Sequence, residues 1–114
     1  MLKTYRHIAI LILAAMILPG TAMAQYKNMK DGEKLYDKED YTASAQKFNI
    51  ASANEKNVYA DYNAANALSK NGNFLEAIRR YNSVVESNAD AAIRSQAFYN
   101  MGNNFLAMEN YKEG

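Results

Sequence analysis

The sequence contains no cysteine and no tryptophan, and only one proline and one histidine. Pro19 and His7 both fall within the first 24 residues, so from Gln25 onward there is no thiol, imidazole or proline. Zinc and most transition-metal sites draw on Cys or His ligands, which argues against a metal centre. Nucleophile–base pairs usually take His as the base, and that chemistry loses its usual means as well. With no disulfide framework, packing alone must hold the fold. An excess of one charge is also missing. The 13 basic and 12 acidic residues are scattered and form no basic patch for nucleic acid or an anionic membrane. Nothing alternates long enough to suggest strands. The 114 residues make room for one small domain.

What is present divides into two parts. Lys3, Arg6 and His7 give a basic start, and Ile8 to Leu18 form an unbroken apolar run of 11 residues. Pro19 and Gly20 break that run, and Ala22-Met23-Ala24 has the small-x-small pattern of a signal-peptidase site. This order predicts a secretory signal over residues 1–24, cleaved between Ala24 and Gln25, and hence a periplasmic, envelope-associated location. A spanning helix needs about 20 apolar residues, more than this run supplies. The alternative is an uncleaved anchor beginning as early as Tyr5. No Cys follows the run, which excludes lipoprotein processing.

After Gln25, apolar and small residues recur at three- and four-residue spacing, the mark of amphipathic helices. Polar breakers divide them and predict helices at 27–37, 41–53, 57–70, 74–87 and 90–108. Connections this short require antiparallel neighbours. The chain also repeats itself. Gly32, Ala65 and Gly102 align, each followed three residues later by Leu35, Leu68 and Phe105. Nine residues after each small residue come Tyr41, Phe74 and Tyr111, and three further on Ser44, Ala77 and Gly114. Phe48 matches Tyr81, and Ala51 matches Val84. A period of 33 and then 37 residues, with small, large, aromatic and small residues in that order, predicts stacked helix pairs. A small residue lets the next helix approach, and an aromatic fills the space beside it.

Tyr62-Asn63-Ala64-Ala65-Asn66-Ala67-Leu68 and Tyr99-Asn100-Met101-Gly102-Asn103-Asn104-Phe105 resemble the start of a tetratricopeptide repeat (TPR) first helix. Asn71-Gly72-Asn73-Phe74-Leu75-Glu76-Ala77 is similar to that family's turn into the second helix. The resemblance implies an all-α, TPR-type α-solenoid of about two and a half repeats. Repeat one would cover 25–57 and repeat two 58–94, with 95–114 a truncated or capping third. In style the chain also resembles the TPR proteins of the Bacteroides aerotolerance (Bat) operons. That implies a scaffold or adaptor in an envelope complex, with no catalysis and no cofactor. The implied partners are proteins offering an extended or helical segment, typically membrane proteins with von Willebrand A-type domains. Two departures stand out. The family's proline after the second helix is missing, and Asp31 takes an apolar position in the first helix. Met101, Phe105 and Met108 would leave an apolar stripe partly uncovered, so self-association through the last helix is the alternative reading.

On the family pattern the concave, partner-binding face carries Tyr62, Asn66, Ser69 and Lys70 from repeat two. Repeat three adds Tyr99, Asn103 and Leu106, with Asn63 and Asn100 at the edge. Asn offers donors and an acceptor to a peptide backbone that has both, and Tyr adds area with few bonds to freeze. These residues are also ordinary in such helices. A carboxylate clamp of the chaperone-binding kind would need Asn where Glu33 stands. Most aromatics are accounted for by packing between repeats, which leaves little for nucleic-acid or carbohydrate stacking. Glu86 and Asp90 flank a helix end, and adjacent Ser69 and Lys70 point in different directions. Neither makes a catalytic pair.

Overall fold

The structure, a computed structural model, describes residues 22–53 and 56–113. Most of the expected signal segment and Gly114 lie outside the described residues. Among those described there are five helices and no strand, so the architecture is all-α and compatible with a helical repeat. The described part of α1 covers 22–37 and passes unbroken through the expected cleavage point at Ala24. It is followed by α2 (Tyr41–Ala53), α3 (Val58–Lys70), α4 (Phe74–Val85) and α5 (Ala91–Glu113). No described helix is long and apolar enough to cross a membrane.

Each helix stops for a local reason. After α1, Glu39 adopts a positive φ of 63°, and after α3, Gly72 does the same at 80°. The two residues occupy one register position, and a left-handed residue there turns the chain back on itself. The Asp40 carboxylate accepts the Ala43 amide at 3.3 Å at the start of α2. Asn57 caps α3, accepting from the amides of Tyr59 at 3.0 Å and Ala60 at 3.2 Å. The corner after α4 has no proline, and Ser87 takes over part of its task. Its hydroxyl donates to the Val84 carbonyl at 2.6 Å and accepts the Ala89 amide at 3.2 Å.

Neighbouring helices pack antiparallel. Gln25 reaches the Ala51 carbonyl, while Gly32 lies beside Ser44 and Phe48. Ser52 meets Asp61 at one end of α2 and α3, and Thr42 meets Asn71 at the other. The small and aromatic positions aligned in the sequence meet between α1 and α2 and between α3 and α4. Ala65, Ala77, Tyr81, Val84 and Ala97 form one buried cluster joining α3, α4 and α5. Among the described residues eight of the twelve buried hydrophobics are alanine, so backbones come close and Phe48 and Tyr81 supply the bulk.

Helix bounds agree with the sequence for α2 and within two residues for α3 and α4. The exceptions are α1, expected from 27 but already helical at 22, and α5, expected to end at 108 but continuing to Glu113. Glu109 stands in register with Glu39 and Gly72, yet the chain makes no turn there. A left-handed non-glycine residue costs about 1–2 kcal/mol, which Glu39 recovers by bringing α2 onto α1. At Glu109 α5 runs straight through and does not incur that strain. Tyr111, expected to open a new helix, instead closes α5 with its ring 6.0 Å from Phe74.

Candidate functional site

The alternate helices α1, α3 and α5 line a groove. Tyr62, Asn66, Ser69 and Lys70 line it from α3, falling within an arc of about 100° at 3.6 residues per turn. Asn100, Asn103 and Asn104 face them from α5, and Tyr36 of α1 and Tyr81 of α4 complete this part. The groove continues past Tyr36 and Asn66 into a second hollow lined by Glu33, Asp37, Phe48 and Asn63. Charge divides along its length. Lys70 is the only charged residue lining the first part, and the second part carries Glu33 and Asp37. Lys30 pairs with Glu33 at 3.6 Å across the solvent-exposed surface.

Hydrogen bonds hold the groove floor. The Tyr81 hydroxyl donates to Asn66 Oδ1 at 2.5 Å, and Asn100 Nδ2 donates to the Tyr62 hydroxyl at 3.0 Å. The Tyr62 and Tyr81 rings meet edge to face at 5.9 Å. Asn104 Nδ2 donates to the Asn100 carbonyl at 2.8 Å. Its Oδ1 is buried and has no hydrogen-bond partner, although the residue is only 3% exposed. A buried acceptor without a donor costs about 1–3 kcal/mol.

Burial pushes the Tyr81 phenol well above the ordinary tyrosine range, and the nearby Tyr62 and Tyr36 phenols add to the effect. Tyr36 is raised too, by burial first and then by Tyr41 and Tyr62. Because the raised value belongs to the folded state, this stability is complete below the ordinary tyrosine value near pH 10. It is lost as pH rises beyond that. Alkaline titration followed by tyrosine absorbance and circular dichroism is therefore expected to show the Tyr81 phenol ionising only as the helical signal collapses. In Tyr81→Phe the collapse should move to higher pH. An unchanged transition would mean that Tyr81 ionises in the folded state.

The structure brings together Tyr62, Asn66, Ser69, Lys70, Asn100 and Asn103, and places Asn63 in the adjoining hollow. Tyr99 and Leu106 are not among the lining residues, being 67% and 60% exposed farther round α5. Both lie about a quarter turn or less from Asn103 at 3.6 residues per turn, enough to carry them to the rim. Tyr36, Tyr81 and Asn104 line the groove without having been expected there. Tyr81 reads as core, and it is; its hydroxyl bonds Asn66 of the groove. Asn104 aligns with Ala67, a wholly buried position in α3. The first repeat has an exposed lysine there, Lys34, so the position is apolar only in α3. Among the described residues no cluster of His, Cys, Asp or Glu is placed to hold a metal ion. Compared with family models and with curated proteins, the chain matches none of either.

Proposed function

We propose that this is an exported TPR-type adaptor that takes a partner's extended or helical segment in the groove between α3 and α5. The observation that carries the proposal is the groove's chemistry. Amides and phenols line it, and no carboxylate stands in its first part. Such a lining suits a peptide backbone, which offers an N–H and a carbonyl at every residue. The repeated Tyr-Asn motifs and their resemblance to TPR first helices support the same reading. The basic, apolar and small-residue order at the N-terminus supports export, and the Bat-like style favours an envelope partner, with von Willebrand A-type membrane proteins the first to try. Its mechanism is assembly, with no reaction.

The test is a pull-down of the tagged protein from detergent-solubilised native envelopes. Wild type is expected to recover a specific partner that Tyr62→Ala/Asn66→Ala loses. Asn66 also accepts from Tyr81, so a second variant, Lys70→Glu/Asn103→Ala, changes only exposed or rim side chains. Loss of the partner in both, with thermal unfolding of the second unchanged, supports groove binding. A partner retained by both variants would place binding elsewhere.

A further inference from the structure

Opposite its groove face, α5 carries another surface. Arg94, Phe98, Gly102, Phe105 and Glu109 are all exposed and lie within an arc of about 80° at 3.6 residues per turn. Phe98 is 62% and Phe105 53% exposed. This arc corresponds to the faces that α1 and α3 bury. Gly32 of α1 lies under the Phe48 ring, and Ala65 of α3 is wholly buried in the cluster with Ala77 and Tyr81. A Cβ built on Gly102 would meet nothing within 4 Å. The register that brings a helix onto α1 and onto α3 repeats on α5, where no described element covers it.

The spacing of the stripe identifies its occupant. Phe98 and Phe105 lie symmetrically about the point between Met101 and Gly102, and so do Arg94 and Glu109. We infer that two copies of this protein pair through α5, antiparallel, across a twofold axis at that point. Each Phe98 then packs on Phe105 of the second copy, and each Arg94 stands beside its Glu109. Gly102, next to the axis, lets the two backbones come close. The same patch serves both chains, as an isologous contact requires. Parallel pairing in register would put Arg94 against Arg94 and Glu109 against Glu109, so the charges select the antiparallel arrangement. The Arg94 Nε donates to the Val85 carbonyl at 3.0 Å, which uses one of five guanidinium donors and leaves four for a carboxylate. The contact spans about 22 Å of helix, from Arg94 to Glu109 at 1.5 Å per residue. An interface of one helix pair is small, so a dissociation constant of about micromolar size is expected. This inference does not depend on the groove reading, because the stripe and the groove are different faces of α5.

Charge reversal tests it in the protein produced from the full chain. Light scattering and sedimentation should find a dimer that Arg94→Glu weakens about tenfold and Glu109→Arg weakens equally, two pairs being reversed in each dimer. The combined Arg94→Glu/Glu109→Arg protein should recover dimerisation. All these side chains are exposed, and because Arg94→Glu also gives up the bond to the Val85 carbonyl, thermal unfolding of each variant is measured beside its association. Absence of cysteine allows a second measurement. Ala91 and Lys112 are also related by the twofold, so Ala91→Cys and Lys112→Cys proteins, mixed and oxidised, should cross-link to each other and not to themselves. A monomer at all concentrations, a dimer indifferent to the single reversals, no recovery in the double, or self-cross-linking of Ala91→Cys would each overturn the pairing.

Discussion

Phe48→Ala is expected to destabilise the protein by about 3–4 kcal/mol, read as a fall in the urea midpoint with little change in slope. Phe48 is 2% exposed and one of few large side chains in a core built mainly of alanine. Helices that meet through alanine bury little area each, so losing one ring removes much of the packing between α1 and α2. Domains of this size have total stabilities of about 5–15 kcal/mol, and this variant should be the one closest to unfolding. The same contact can be strained from the other side. A Cβ on Gly32 would stand 2.6 Å from the Phe48 ring, and the bond from Ser44 Oγ to the Gly32 carbonyl at 2.7 Å keeps α2 from backing away. Gly32→Ala should therefore cost about 1–3 kcal/mol, although alanine is the better helix former by about 1. Gly102→Ala provides the control, since its Cβ meets open space. At concentrations that keep the protein monomeric, that change should stabilise by about 0.5–1 kcal/mol. Equal effects at the two glycines would mean that the Phe48 contact is loose.

The second large effect is expected at Asp61. Its carboxylate is 7% exposed and ties three helices together. It accepts from Ser52 of α2 at 2.9 Å and pairs with Arg80 of α4 at 3.2 Å. Asp61→Ala leaves the Ser52 hydroxyl and a half-buried guanidinium without this partner, and a loss of about 2–3 kcal/mol should follow. Glu76 lies 3.7 Å from Arg80 and compensates in part. A double-mutant cycle with Arg80→Met separates the ion pair from the rest. Coupling near zero would show that Asp61 acts only through Ser52. By contrast the exposed Glu76–Arg79 pair, at 3.2 Å, should contribute under about 0.5 kcal/mol.

Much of the candidate groove was legible because helical faces follow from spacing. Tyr62, Asn66 and Lys70 fall on one side of any helix through them, and Asn100 and Asn103 do so one repeat later. Tyr36 and Tyr81 were not, because an aromatic at helical spacing looks like packing. The extent of α5 was misjudged for a related reason. A turn at Glu109 requires a following helix to reward it, and no periodicity in the preceding residues reveals whether one packs there.

By itself the sequence determined the helices, their antiparallel succession and the register of small and large residues. These are local properties, set by turn chemistry and by the 3.6-residue repeat. Only the tertiary structure decided which faces are covered. Gly32 and Gly102 hold the same register position, yet one lies beneath an aromatic ring and the other faces open space. Burial belongs to a pair of surfaces, and a residue's own spacing specifies only one of them.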